Sequence, residues 1–318
     1  MVRLERRRRL FDAMADHDLD VLVLGRPADV VYATGARQLW TSGSRPFGPA
    51  CLAVAETGRT HLLSTWDEGV PPELSHDDLY GLSWNPANLA ASLAKIPGLS
   101  SARRVGTGSL SPGFPRLIKA LASDAELVDG TPAIWAARVT KTVEEIAAIR
   151  RATAVAEAGL AVMVEALSPG VTERQLLAVY VERIASLGAP TPPSEAVATI
   201  TGDLVALDAG AMVDGYEGGA AGTWTTGGER VVDERCRASL EAVVAACRGG
   251  ATGADLRRAW ESTGQPMPVV PLVHGIGLGM EPPIVAAGVG DDAVLAEGMA
   301  LSVTARVDGF VERELVFL

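Results

Sequence analysis

The sequence predicts an α+β protein in which a smaller α/β domain precedes a larger domain with helices first and antiparallel strands later. The chain has 318 residues, which is long for one hydrophobic core and suits two domains. Helix and strand patterns alternate in the first part, whereas two helix patterns in succession open the second part. We therefore predict domains at residues 1–136 and 137–318.

The composition is that of a globular protein, with 48% hydrophobic and 21% charged residues. The net charge of −11 argues against nucleic acid and acidic membranes as partners. The basic run Arg6 to Arg9 is a local exception, and we interpret it as a solvated helix face. No apolar segment of membrane-spanning length occurs, and none follows the basic start as in a signal peptide, so we expect a cytoplasmic protein.

In the first domain, apolar residues at helical spacing predict an initial helix. Short apolar runs bounded by glycine predict strands, and the third strand segment is expected to form a hairpin that turns at Thr57-Gly58. These strand segments are DVLVLG, VVYATG (Val30 to Gly35) and ACLAVAETGRTHLLS. The later segments NLAASLAKI, RVGTGS and FPRLIKALASDAELVDG predict a helix, a strand, and a helix that leads to a strand. We expect a mixed sheet.

In the second domain, Thr142 with Glu145 forms a capping box that predicts the start of a long helix. A second helix is expected between the cap Thr172 and the terminator Gly188. Paired strands follow in GDLVALDAGAMVDGYEGGAAGTWTTG, then two helices, and then closing strands in GMALSVTARV and GFVERELVFL. The three cysteines cannot form a complete disulfide set, so we predict that they are reduced and mostly buried.

The run HGIGLGMEPP, from His274 to Pro283, contains the only histidine of the C-terminal half. Gly275 and Gly277 let the backbone pass close to a neighbouring strand or a ligand. A structural and a functional role for His274 are equally compatible with this run alone. His17, His61 and His76 have no carboxylate or cysteine at ligand spacing, and we assign them surface or packing roles.

Several stretches resemble the family of methionine aminopeptidase, aminopeptidase P, prolidase and creatinase, known as M24. They are RRRRLFDAMADHDLDVLVLGRPADVVYATG, VTKTVEEIAAIRRA, SPGVTERQL, GDLVALDAGAMVDGY, HGIGLGMEPP and EGMALSV, in this order. The resemblance implies a C-terminal pita-bread domain after a creatinase-like N-terminal domain. It also implies a homodimer, in which one subunit's N-terminal domain borders the other's pocket. Thr41 to Pro49, with Trp40 and Arg45 of types enriched at contacts, is the segment that we expect at that border.

In peptidase members the resemblance implies two divalent metals held by two Asp, one His and two Glu. Asp208, His274 and Glu312 match such positions, with Glu314 as the alternative to Glu312 if the register slips by two. Gly219 and Thr304 stand where the second Asp and the other Glu are expected. Two adjacent dications need carboxylates to offset their charge, so we predict no bound metal cofactor, with a single weakly bound divalent ion as the alternative.

The run HGIGLGMEPP is one residue shorter than the peptidase form and lacks its second histidine, although Glu281 could act as an acid or base. This form is similar to that of creatinase, which cleaves C–N bonds in small molecules with His and Glu alone. The hypothesis is therefore an enzyme that uses the catalytic residues His274, Asp208, Glu312 and Glu281. Glu217, Tyr216 and Thr304 are predicted to contact a small-molecule or peptide-like substrate. A scaffold protein without catalysis and a metal-dependent Xaa-Pro aminopeptidase are the alternatives.

A structural interpretation of the same residues also stands. Asp208 could cap a tight turn in LDAGA, and Glu312 could pair with Arg306 or Arg313 on a neighbouring strand. His274 could form a hydrogen bond within the sheet. All three residues match one site of the related proteins, which favours a site, although common ancestry without function gives the same pattern.

Overall fold

The structure is a computed structural model that describes residues 2–36, 50–64, 69–81, 83, 85–108, 110–111, 113–190, 192 and 197–318. Its internal contacts divide the chain into two compact units, Met1–Arg138 and Val139–Leu318. The sequence places the change of pattern at residues 136 and 137, and the contacts place the division between residues 138 and 139. The segment Thr41 to Pro49, with Trp40 and Arg45, lies outside the described residues.

The first unit is built on a six-stranded mixed sheet with the strand order β4-β3-β2-β1-β5-β6. β1 is antiparallel to β2 and parallel to β5, so the predicted mixed sheet is confirmed. Buried residues of β1, β2 and β5 pack against α3 and α4. The helices are α1 (Val2–Asp16), α2 (Pro27–Thr34), α3 (Pro86–Leu93), α4 (Gly113–Leu121) and α5 (Thr131–Val139). The strands are β1 (Val21–Leu24), β2 (Cys51–Val54), β3 (Arg59–Ser64), β4 (Leu79–Gly81), β5 (Arg104–Gly108) and β6 (Glu126–Asp129), and a short 3-10 helix covers His76–Asp78.

The predicted strand at Val30 to Gly35 is wrong, because these residues belong to helix α2 and its C-cap. Pro27 lies in the first turn, where its fixed φ favours a helix. Gly35 ends the helix at a φ of 72°, and its N–H donates to the carbonyl of Val31. The β-branched and aromatic residues of VVYATG suggested a strand. This intrinsic strand preference is weak, and packing of the helix overrides it. The hydroxyl of Tyr32, for example, donates to the carbonyl of Ala137.

The basic run Arg6 to Arg9 is only partly a solvated face. Arg6 is buried, and its guanidinium lies 5.7 Å from the centre of the Tyr32 ring. Arg9 pairs with Glu5 one turn away at 2.8 Å. The run therefore contributes to the packing between α1 and α2.

The second unit consists of two four-stranded antiparallel sheets, each covered by a pair of helices. The first sheet has the order β10-β9-β8-β7, and the second has the order β12-β11-β13-β14. The helices are α6 (Val143–Glu165), α7 (Glu173–Ser186), α8 (Glu234–Ala246) and α9 (Gly253–Glu261). The strands are β7 (Val197–Thr201), β8 (Leu204–Val213), β9 (Tyr216–Thr225), β10 (Arg230–Val231), β11 (Val273–Gly277), β12 (Gly279–Val285), β13 (Ala300–Val307) and β14 (Phe310–Phe317). The predicted α+β pita-bread domain is confirmed.

Local signals set the ends of the first two helices of this unit as predicted. Thr142 and Glu145 form a reciprocal capping box at α6, and Thr172 forms one with Gln175 at α7. Gly188 follows α7 with a φ of 87°. The helices cover one face of each sheet, which leaves the other faces to meet at Ala206, Ala221 and Val311.

Two hairpins with the same turn chemistry fix the register of the strands that carry the site. Asp214-Gly215 joins β8 to β9, and Asp308-Gly309 joins β13 to β14. Both residues of each turn have positive φ values, between 47° and 87°. Such a two-residue turn matches the twist of the strands, so each hairpin pairs without a bulge.

The three cysteines are free and buried, as predicted. Burial raises the pKa of the Cys51 thiol to about 12 and that of Cys236 to about 11, so both stay protonated near neutral pH. Within the described ranges, no helix combines the length and the apolar character required to cross a membrane.

Candidate active site

The candidate site lies on the inner faces of the two sheets of the second unit. Asp208 lies opposite Ala221 and Met212 lies opposite Glu217, which puts Asp208, Glu217 and Gly219 on one face of the first sheet. On the second sheet, His274 lies opposite Ser302, which shares its face with Thr304 two residues on. The fold thus brings four of the predicted residues, Asp208, Glu217, His274 and Thr304, to the facing sides of the two sheets.

Asp208 is bound to two arginines. The Arg313 guanidinium forms a two-point contact, with Nη1 2.7 Å from Oδ1 and Nη2 donating to Oδ2 at 3.1 Å. Arg306 donates through Nη2 to the same Oδ2. The suggested role of Asp208 as a turn cap is wrong, because it lies inside β8 with Val197 and Ala221 on either side. Both oxygens of this carboxylate are therefore engaged by cationic groups.

Two further residues at predicted ligand positions, Thr304 and Gly219, lie beside Arg313. Its Nε donates to the Thr304 hydroxyl at 3.0 Å, across the pair that joins β13 to β14. A Cβ atom added to Gly219 would lie 2.8 Å from Nη1 of Arg313. The absence of a side chain at Gly219 thus leaves the space in which this guanidinium lies.

Glu312 does not contact Asp208. Thr304 lies opposite Arg313 and Ala305 lies opposite Glu312, so Glu312 is on the other face of β14 from Arg313. Its carboxylate pairs with Arg230 at 2.7 Å. Glu314, the alternative by a shift of two residues, has the same orientation as Glu312. The suggested pairing with Arg306 or Arg313 is made by Asp208 instead of Glu312.

His274 is buried in β11, and its Nδ1 lies 2.9 Å from the carbonyl oxygen of Gly275. Because a carbonyl can only accept a hydrogen bond, Nδ1 carries the proton in this contact and Nε2 keeps a lone pair in the neutral ring. Burial lowers the pKa of His274, the Gly275 hydrogen bond and Asp208 raise it, and Arg313 lowers it. The structural interpretation suggested a hydrogen bond of His274 within the sheet, and one to the Gly275 carbonyl is present. It leaves Nε2 as the basic atom.

Glu281 is buried in β12 and forms an ion pair with Lys141, whose Nζ lies 2.8 Å from Oε2. Its other oxygen accepts the N–H of Leu278 at 3.0 Å. A Cβ atom on Gly277 would lie 2.6 Å from that oxygen, so this glycine leaves room for the carboxylate. Glu281 is thus held in the glycine-rich hairpin by a lysine side chain and a backbone N–H.

The two neighbours Tyr216 and Glu217 point to opposite faces of β9. Tyr216 is buried and donates through its hydroxyl to Glu145 of the capping box at 2.8 Å, so the structure gives it a contact with α6. Glu217 shares the face of Asp208. Burial raises the pKa of Glu217, Arg313 lowers it, and the charges of Glu281 and Asp208 raise it further. Glu217 is thus the member of this pair that faces the site.

These side chains do not fit two divalent metals. Within the described ranges, no three His, Cys, Asp or Glu side chains form a group that could hold a metal ion. The guanidinium of Arg313 contacts Asp208 and borders Gly219, so a positive charge already lies beside the retained carboxylate. A dication there would be repelled by this charge and would compete with it for the same oxygens.

Sequence reasoning missed Arg313, Arg306 and Lys141 as parts of the site. For Arg313 the signal is in the sequence, because the Asp308-Gly309 turn sets the hairpin register. Thr304 lies three residues before Val307, and it must face Arg313, three residues after Phe310. Lys141 stands 140 positions before Glu281, and only the fold shows that they meet.

Two antiparallel sheets with paired helices, preceded by a mixed-sheet α/β unit, define a pita-bread protein with an additional N-terminal domain. The model of metallopeptidase family M24 matches residues 147–314, and that of the creatinase/prolidase N-terminal domain matches residues 6–140. The chain belongs to family M24.

Among individual proteins, the creatinase of Bacillus sp. (strain B-0618) is 27% identical over 176 residues. This match covers 54% of this chain and 42% of the creatinase, less than half the length of that relative. The prolidase from Pyrococcus horikoshii OT3 superimposes with a TM-score of 0.79 at 19% identity, covering 99% of this chain and 95% of that one. The Xaa-Pro dipeptidase from Bacillus anthracis gives a TM-score of 0.77, also at 19% identity, with 99% and 94% covered. At this identity, the structural likeness supports the fold.

Proposed function

We propose that this chain is an enzyme that hydrolyses a C–N bond of a small polar substrate without a bound metal ion. The observation that carries the proposal is the double engagement of Asp208 by Arg306 and Arg313. This carboxylate is balanced by guanidinium groups, so it has little affinity left for a dication. The similarity to a creatinase supports a small C–N substrate.

In this proposal, His274 is the general acid and base. Its Nε2 accepts a proton from a water molecule as the water oxygen bonds to the substrate carbon. The same proton then passes to the leaving nitrogen as the C–N bond breaks, so one water is added across the bond. Glu217 contacts the polar substrate from β9, and the ion pair with Lys141 keeps Glu281 fixed beside the hairpin of His274. The three free cysteines are consistent with the cytoplasm as the proposed location.

A first test measures hydrolysis of creatine, of related guanidino acids and of Xaa-Pro dipeptides, with chelator and with added Mn²⁺. We expect turnover of a guanidino or related substrate that chelator does not change. His274→Gln is expected to lower kcat by about 100-fold or more, because general acid–base catalysis typically contributes 10²–10⁴-fold. His76→Ala, which changes an exposed histidine of the first unit, is the matched control and should keep full activity. Xaa-Pro hydrolysis that requires Mn²⁺ and stops with chelator would contradict the proposal.

A binding protein without catalysis is the second candidate. It is favoured by the internal ion pairs of Asp208 and Glu281, which neutralise two of the acidic groups that chemistry would use. Calorimetry with the same substrates separates the two functions. Binding without turnover at any pH between 5 and 9 would support the binding protein.

A further inference from the structure

The guanidinium of Arg313 lies among three residues that correspond to metal-ligand positions in the related peptidases. Asp208 binds it at two points, the Thr304 hydroxyl accepts its Nε–H, and Gly219 leaves the space beside Nη1. Two of the three, Gly219 and Thr304, are positions where the resemblance implies an acidic residue. The residues that depart from the metal pattern therefore meet around one cation.

We infer that Arg313 is a resident cation that takes the place of a divalent metal, and that Asp208, Thr304 and Gly219 form its binding cradle. The inference deepens the proposed metal-independent function and rests on it for its catalytic meaning. The structural part of the inference, that Arg313 occupies the place of a metal ion, does not depend on catalysis and can be tested by metal binding.

The geometry of the cradle suits a guanidinium group. The planar fork of arginine matches a carboxylate with two parallel N–H donors, as at Asp208. The third direction, Nε–H, is satisfied by a neutral hydroxyl at Thr304. Arg306 adds a second positive charge at the same carboxylate. A dication in this place would face two like charges at short range.

The arrangement differs from a metal site that has decayed by separate losses. Loss of metal and ligands alone would leave the mostly buried Asp208 without a partner, which is costly for a carboxylate. Instead, each change supports Arg313: the glycine removes a clash, and the threonine supplies an acceptor. We therefore treat Gly219, Thr304 and Arg313 as one coupled set.

The test restores the acidic residues with and without the resident cation. The triple variant Gly219→Asp/Thr304→Glu/Arg313→Glu regains two Asp, one His and two Glu on the inner faces. The double variant Gly219→Asp/Thr304→Glu is the matched control, because it gains the same two acids but keeps Arg313. Each protein, including the unmodified chain, is titrated with MnCl₂ by calorimetry. Metal content after gel filtration and the melting temperature with and without Mn²⁺ are also measured.

We expect the triple variant to bind Mn²⁺ and to melt higher in its presence. The double variant is expected to bind at least about 100-fold more weakly, because the retained guanidinium repels the ion and occupies its place. If the triple variant folds only with metal, refolding it in Mn²⁺ gives the same comparison. Equal Mn²⁺ affinity of the double and triple variants would overturn the inference, and so would failure of the folded triple variant to bind.

Stoichiometric Mn²⁺ binding by the unmodified chain would overturn both the inference and the metal-independent function. Should the unmodified chain bind no Mn²⁺ and the triple variant bind it, while no C–N substrate is turned over, the proposed function alone fails. The readouts are binding and stability, so the inference is tested even in the absence of activity.

Discussion

At the residue scale, the negative charge of Asp208 is balanced by two arginine side chains of the protein. The carboxylate is mostly buried and is engaged by Arg306 and Arg313. An ionised group in such a place requires compensation, which can come from a metal or from a side chain. Residue type alone predicted that the acidic set is too small for two metals. Arg313 could be identified as a compensating group only once the structure showed which residues of β14 face Asp208.

Replacement of Gly219 by alanine tests how firmly this compensation is held. The added Cβ would lie 2.8 Å from Nη1 of Arg313 and 3.3 Å from the carbonyl oxygen of Ala209. We expect the Arg313 guanidinium to move away from the added Cβ and thereby to loosen its contacts with Asp208. We therefore expect Gly219→Ala to lower the free energy of unfolding by about 1–3 kcal/mol, the usual cost of overpacking.

The control for that measurement is Gly81→Ala on β4, where an added Cβ meets nothing within 4 Å. This change should stay within about 0.5 kcal/mol of the unmodified chain. Urea unfolding of the variants gives both values. If Gly219→Ala proves as stable as Gly81→Ala, the guanidinium is not fixed in the position described.

At the element scale, periodicity and capping signals predicted most of the fold because they act locally. The capping boxes at Thr142 and Thr172 fixed helix starts, and runs of alternating or apolar residues fixed the strand pairs. Helix α2 was not predicted, because its β-branched residues favour a strand. Pro27 in the first turn and Gly35 at the C-cap favour the helix that the structure shows. The structure places Glu312 on the face of β14 opposite to Arg313, and the sequence did not predict this orientation. A shift of one residue in a strand reverses the face, and the resemblance alone did not fix that register.

The edge of the first sheet offers a test of pH dependence. His61 on β3 is 1% exposed, lies 3.2 Å from Asp78 of the 3-10 helix, and contacts the Tyr80 ring of β4 edge-on. Burial lowers the pKa of His61 from its usual 6.5, with Asp78 raising it and Arg59 and Arg7 lowering it. The folded state thus binds this proton less readily than the unfolded chain.

The contribution of His61 to stability is therefore complete above pH 6.5 and falls as the pH drops through 6.5 toward the folded-state pKa. We expect the free energy of unfolding to decrease from pH 7 to pH 5. His61→Phe keeps the edge contact with Tyr80, and Asp78 keeps its ion pair with Arg59, so this variant should show a smaller decrease. Unfolding curves at several pH values measure the difference. If the free energy of unfolding changes with pH in the same way in both proteins, His61 does not cause the decrease.

At the scale of the whole molecule, composition and the change of pattern indicated two domains, and the family models match the two halves in that order. Length and hydrophobic content are properties of the whole sequence, so they indicate the number of domains even when no contact between residues is known. The oligomeric state could not be derived in the same way. It depends on which surfaces of two subunits fit together, and the sequence pattern does not show this. The homodimer stays a prediction that rests on the resemblance to creatinase-type proteins.

We expect light scattering to give twice the chain mass over a wide range of concentrations. Trp40 and Arg45 are of types that carry much of the binding energy at interfaces. Replacement of both by alanine should therefore shift the protein toward the monomer, with the same helix content by circular dichroism. The paired change Arg8→Ala/Glu144→Ala, at exposed helix positions, controls for a general effect of surface substitution. A monomer mass for the unmodified chain at all concentrations would refute the dimer, and a dimer unaffected by the first pair would place its interface elsewhere.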